Sequence, residues 1–505
     1  MTRMAESKVG QGAVPGSTPG SMARPRLAFR VLSGVLALAL PGCSTISSTF
    51  GSLTGGGGVP AGNAGYVRGF LGGVAAEDPA AALAAREVLS AGGSATDAAV
   101  AAAWVMAVTL PSRVGIGGGG ACLVYDQRKN ATEAVMFLPG QRASVPAGAD
   151  RPAAVPMFAR GLFALHTRLP VRPFEELMAP AEQLARFGAP VSRGLAEDLA
   201  AVAAPLLADP GARAVFGRPD GRVKGAGEPL MQPLLATTLT QLRLSGVGDL
   251  HQGLLARRLE EASRPVGGNL TVDELRGPRA LPTVVPPLVV QGRNRDQVAF
   301  LPLPADGGLA GAATYLALKS DPSLEAAAAR GQAVAATWRR QGGEADTLLT
   351  ANVPAAGTGP LPASAGLAVF DRNGNAVACA FTMNNLFGTG RIAPGMGMLL
   401  ASAPGIGAVQ PPLLSAGIAW SPNLAAFHMV AAGSGQHAAP LAVAGPLARV
   451  VEGGAAPQAA VASGRLPPGR GQYGICTGYL PGAENLCVAV TDPDGHGVAL
   501  GATDQ

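Results

Sequence analysis

Apolar residues recur every three or four positions along "DPAAALAAREVLSAGG" (78–93), and a glycine pair closes the run. This spacing predicts a helix with a glycine C-cap. "SATDAAVAAAWVMAVTLP" (94–111) opens on Ser/Thr/Asp and predicts a second helix, with a small-residue face suited to close packing. The glycines of "SRVGIGGGG" then lead into two strands joined by a polar turn, "ACLVYDQRKNATEAVMFL" (121–138). From 155 to about 255 the helical period returns. Between 256 and 360 short helices mix with Pro-rich strands, ending in the exposed loop "NVPAAGTGPLPA" (352–363). From Ser364 onward short strands alternate with turns at "DRNGN" and "DPDGHG". Helices first and strands last predict a layered α+β protein, not a doubly wound parallel sheet.

Composition refines this picture. The 505 residues suffice for a large core, but only 4% are aromatic, so Ala, Val and Leu must build it. The 71 Gly and 43 Pro fall mostly between periodic segments and read as turns. "GIGGGG" enters a strand instead of a helix and lacks dinucleotide-fingerprint spacing. Four successive glycines there predict close backbone approach in a core or at an active-site wall. The net charge of +5 is concentrated at the N-terminus, where Arg3, Lys8, Arg24, Arg26 and Arg30 face Glu6. The remainder is near neutral with no basic stripe, which argues against a nucleic-acid partner.

That N-terminus reads as an address. "MARPRLAFR" is a basic region, "VLSGVLALAL" a short apolar core, and "LPGC" ends the segment. The apolar run is too short to span a bilayer. Cys43 after Leu-Pro-Gly resembles a bacterial lipobox, which implies acylation of Cys43 and a membrane contact through that lipid. Residues 1–43 are therefore expected to be a signal peptide and 44–65 a flexible tether. The expected location is the bacterial cell envelope, as a periplasm-facing lipoprotein.

Four cysteines remain. Cys476 and Cys487 flank a hairpin-like segment and are candidates for a disulfide in an oxidising compartment. Cys122 and Cys379 lie in apolar strand-like runs and read as buried thiols. The histidines are scattered and no CxxC occurs, so neither a metal nor a cofactor is expected.

Several blocks, in order, resemble the gamma-glutamyltransferase family of N-terminal-nucleophile hydrolases. They are "EVLSAGGSATDAAVAAA", "LPSRVGIGGGGACLVYD", "VPMFARGLFALHTRL", "LMAPAEQLARFGAPVS", "VFDRNGNAVACAFTMNNLFGTG" and "VAVTDPDGHGVALGATD". The resemblance implies a four-layer αββα sandwich made as a precursor that cuts itself into two subunits, here 66–363 and 364–505. It places the nucleophile at Ser364, with cleavage after Ala363. A serine hydroxyl needs a base. Cleavage would supply one in the freed α-amino group, whose pKa of about 7.7–8.0 leaves much of it neutral near pH 7–8. The resemblance further implies that Thr382 supports the nucleophile and that Asn384 lines the substrate pocket. It implies that Arg142 pairs with a substrate carboxylate, and that Gly435 and Gln436 offer N–H groups to an oxyanion. The implied substrate is a small amide or peptide, with γ-glutamyl groups of glutathione-like amides hydrolysed or transferred.

The sequence also departs from the family pattern. The Thr-Thr-His-aromatic-Ser run becomes "SAGLA", and the acidic segment that holds the substrate ammonium becomes "ASAPG" (401–405). The paired serines are read as replaced by Ile418 and Ala419, and the Gly-Gly pair becomes "GSGQ" (433–436). An ammonium buried without an anion costs several kcal/mol. Two other readings therefore stand beside the first: an amidase with a less polar acyl substrate, and a non-catalytic envelope lipoprotein that keeps the fold.

Overall fold

The structure, a computed structural model, describes residues 70–142, 144–145, 147–405, 410–476 and 487–503. Cys43 and the tether lie outside them. Two antiparallel sheets carry the fold. Their strands are β1 (Phe70–Ala76), β2 (Gly119–Asp126), β3 (Ala131–Phe137), β4 (Thr283–Val285), β5 (Leu288–Gln291), β6 (Gln297–Phe300), β7 (Ala365–Asp371), β8 (Ala376–Thr382), β9 (Ser415–Ser421), β10 (Ala426–Ser434), β11 (Arg470–Cys476), β12 (Cys487–Thr491) and β13 (Val498–Thr503). The first sheet runs β13-β1-β7-β8-β2-β3-β4 and the second β12-β11-β10-β9-β6-β5.

Alternation along the strands explains the layering. Cys122 and Val124 point to one core, whereas Ala121, Leu123 and Tyr125 point to another. The second of these cores lies between the sheets, where Ala368 and Phe370 meet Ile418, Trp420 and Val430. Helices α1 (Pro79–Ser90) and α2 (Ala95–Thr109) cover the free face of the first sheet. Helices α3 (Asp306–Ser320), α4 (Leu324–Gln341) and α5 (Ala439–Val451) lie on the side of the second sheet. The result is the αββα sandwich expected. Ser94 starts α2 with a capping box in which its hydroxyl takes the Asp97 N–H and the Asp97 carboxylate takes the Ser94 N–H.

Three expectations need correction. The 306–341 region holds helices of 15 and 18 residues, longer than the short helices read there. The strand-rich C-terminal part contains α5, a 13-residue helix with Pro440 in its first turn and Pro446 inside. Cys122 and Cys379 are not free thiols: β2 and β8 pair them directly, and they form a disulfide. Cys476 and Cys487 form a second one between β11 and β12.

The glycine run fixes how the first sheet meets its surroundings. A side chain at Gly118 would collide with the Thr382 carbonyl, and one at Gly117 with the Leu399 carbonyl. Only a chain without Cβ atoms lets the entry to β2 pass so close to the end of β8.

Candidate active site

Ser364 sits immediately before β7, an inner strand of the first sheet, and is 2% exposed. Gly366, two residues on, lies against Ala432 of the second sheet, where an added Cβ would stand 3.1 Å from the Ala432 carbonyl carbon. The two sheets therefore touch at the head of β7. The segment ahead of Ser364 is pinned on the same side, because Leu361 packs with Ala310, Ala335 and Leu413.

Thr382 ends β8 beside this head. Its hydroxyl donates to the Ala363 carbonyl at 3.0 Å and accepts the Asn384 N–H at 2.9 Å. The carbonyl it holds belongs to the peptide bond that joins Ala363 to Ser364. Asn384 has φ of +57°, a left-handed conformation that Asn tolerates better than most residues, and its Nδ2 donates to the Ser402 carbonyl at 3.1 Å. Both residues are almost fully buried.

Gly435 and Gln436 follow the end of β10, with φ of +103° and +56°. A side chain at Gly435 would meet the backbone of Pro468 and Gly469. Gln436 reaches back to the linker, with Nε2 donating to the Leu361 carbonyl at 2.7 Å. Gln436 thus contacts the chain three residues ahead of Ser364 through its side chain.

Arg142 is elsewhere engaged, contrary to the substrate role expected for it. Its Nε and Nη2 grip Glu274 at 2.6 and 2.9 Å, Nη1 donates to the carbonyls of Ala153 and Gly268, and Nη2 to that of Asn269. A guanidinium has five N–H donors, and all five are used. The side chain is 1% exposed. No donor remains for a substrate carboxylate.

The two residues read in place of the paired serines are buried. Ile418 and Ala419 lie in the middle of β9, opposite Val430 and Met429, with their side chains in the two cores. The hydroxyl at the start of that strand is Ser415, paired with Gly433 and bonded to the Leu413 carbonyl at 3.0 Å.

Sequence reading missed Ser434. Val430 and Ala432 point from β10 into the space between the sheets, and period 2 sends Ser434 the same way. A side chain at Gly474 would meet both Phe370 and Val430, while Gly366 meets Ala432. The strands therefore run in opposed directions across the gap, and Ser434 falls toward the Ser364 end. Its hydroxyl is buried without a hydrogen-bond partner. Only the pairing of sheets brings it there.

A cavity of about 1040 Å³, bordered by Gln232, Leu235, Arg391 and Ile392 among others, is lined by none of Ser364, Thr382 and Asn384. The nucleophile candidate and this concavity are separate features.

Two facing antiparallel sheets between helical layers form the αββα sandwich that the family resemblance implied. The gamma-glutamyltranspeptidase family model matches residues 81–341, and the chain belongs to that family. The matched stretch ends before Ser364. Glutathione hydrolase 3 of Arabidopsis thaliana is 32% identical over 40% of this chain and 33% of its own. The glutathione hydrolase proenzyme of Escherichia coli (strain K12) is 26% identical over 66% of each. The chain thus spans between a third and two thirds of these relatives. The cephalosporin acylase of Bacillus halodurans shares the fold, with a TM-score of 0.68 and 20% identity over 86% of this chain and 96% of that one.

Proposed function

We propose that this chain is a self-processing hydrolase of the gamma-glutamyltranspeptidase family, with Ser364 as its nucleophile. The observation that carries the reading is the Thr382 hydroxyl, 3.0 Å from the carbonyl of the Ala363–Ser364 bond. In the first step the Ser364 Oγ bonds to the Ala363 carbonyl carbon. The bond from that carbon to the Ser364 nitrogen breaks, and the hydroxyl proton ends on the released amine. Water then hydrolyses the ester, leaving a carboxylate at Ala363 and a free N-terminal serine. The new amine serves as base for turnover, accepting the hydroxyl proton as Oγ attacks an amide substrate.

Thr382→Val, which keeps the shape and removes the hydroxyl, takes away a donor to the developing oxyanion. Self-cleavage is expected to slow by about a hundredfold to a thousandfold, read as the half-time for loss of the whole chain on a gel. An unchanged half-time counts against this role.

Family membership favours γ-glutamyl amides such as glutathione as substrates, hydrolysed or transferred to an amine. A second reading, a less polar acyl donor, is favoured by two observations. Arg142 has no donor to offer, and Ala401–Gly405 carries no carboxylate. Paired assays of a γ-glutamyl anilide and a plain acyl anilide separate the two: turnover of the first alone rejects the second reading.

We further propose attachment to the bacterial envelope through a lipid on Cys43. Two disulfides in one domain suit an oxidising compartment. Cys43→Ser is expected to move the protein from the membrane fraction to the soluble fraction; retention in the membrane fraction counts against the anchor.

A further inference from the structure

The register of β1 against β7 ends three residues short of Ser364. Pairing runs from Gly72–Asp371 to Ala76–Leu367 and stops there. On its other side β7 stays paired with β8 as far as Ala365–Phe381. The head of β7 is therefore held by backbone on one side only. The missing bond comes from a side chain: Glu77 Oε1 accepts the Gly366 N–H at 2.8 Å, two residues from Ser364.

Glu77 is itself gripped. Its Oε2 takes Arg113 Nη1 at 2.9 Å, and Arg113 binds Asp198 through Nε at 2.7 Å and Nη2 at 2.8 Å. Ser112 Oγ donates to the same Asp198 carboxylate at 2.6 Å. Burial would lower the pKa of the Arg113 guanidinium, but its bonds to Asp198 and Glu77 outweigh that and keep it charged. A charge-assisted hydrogen bond onto a backbone N–H is stronger than a neutral one. The chain Ser112–Asp198–Arg113–Glu77 thus ends on the strand that carries the nucleophile.

We propose that Glu77 is a positioning residue for Ser364, extending the β1–β7 ladder by one bond so that the head of β7 keeps its place before and after cleavage. Cleavage makes this bond more important. Once the bond after Ala363 is cut, Ser364 becomes a chain end, and chain ends fray unless tied down. The proposal rests on the reading of Ser364 as nucleophile.

Two variants separate positioning from a purely structural ion pair. Glu77→Gln and Glu77→Met have similar size, and both lose the charge that pairs with Arg113. Only Gln keeps an oxygen that accepts the Gly366 N–H. Self-cleavage half-times and exchange of the Gly366 amide with deuterium are measured on the purified full chain, with melting curves as a check on folding. Glu77→Gln is expected to cleave within about threefold of wild type, and Glu77→Met at least about tenfold more slowly with faster Gly366 exchange. Equal slowing of both variants, failure of both to fold, or unimpaired cleavage in Glu77→Met overturns the proposal. If the wild-type chain stays whole, the reading of Ser364 fails on its own. The exchange data then still decide whether Glu77 clamps the strand: equal rates in the two variants reject the clamp.

Discussion

Ser364→Ala is expected to accumulate as one whole chain with no measurable turnover of any amide substrate. The two losses share one cause. Without Oγ nothing can attack the Ala363 carbonyl, so the peptide bond that Thr382 holds at 3.0 Å stays intact. Without that cut the α-amino base is never released, and the linker through Leu361 stays packed beside the site. Ser364→Thr carries a hydroxyl on a stiffer, β-branched side chain and is expected to retain cleavage. A gel of the three proteins checks both statements. Cleavage of Ser364→Ala at the same bond would show that another group performs it.

Arg142→Met is expected to destabilise the fold by about 3–5 kcal/mol, the usual loss when one partner of a buried ion pair is removed. Glu274 would keep its bonds to Thr271 but lose both guanidinium contacts. Three carbonyls, those of Ala153, Gly268 and Asn269, would lose the guanidinium donor as well. Chemical denaturation measures the change. A substrate-binding arginine would behave otherwise, with a raised KM and an unchanged midpoint of unfolding. That outcome would restore the role its sequence position suggested.

The contrast between Ser364 and Arg142 shows what the sequence made legible. Ser364, Thr382 and Asn384 belong to a strand–turn–strand block whose internal spacing survives, so counting along the chain reaches them. Arg142 depends on Glu274, 132 residues away, and on a loop at Gly268–Asn269; no local pattern announces that partnership. The Cys122–Cys379 disulfide and the Glu77–Gly366 bond are hidden for the same reason, since both follow from strand register. Helix α3 was under-read because its first ten residues are buried on every side, leaving no polar stripe to mark the helical period. The place of Ser415 at the start of β9, opposite Gly433, likewise follows from pairing with β10 and not from local pattern. The layered α+β class was readable from periodicity and order, and the four layers from the family resemblance. The contacts between layers were not.

N-terminal sequencing of every polypeptide in the purified wild-type protein decides whether the chain cuts itself before Ser364. A polypeptide beginning Ser-Ala-Gly-Leu-Ala-Val-Phe-Asp, the sequence from Ser364 to Asp371, is expected. A chain left uncut between Phe70 and Thr503, or one cut there at a bond other than Ala363–Ser364, would contradict that expectation.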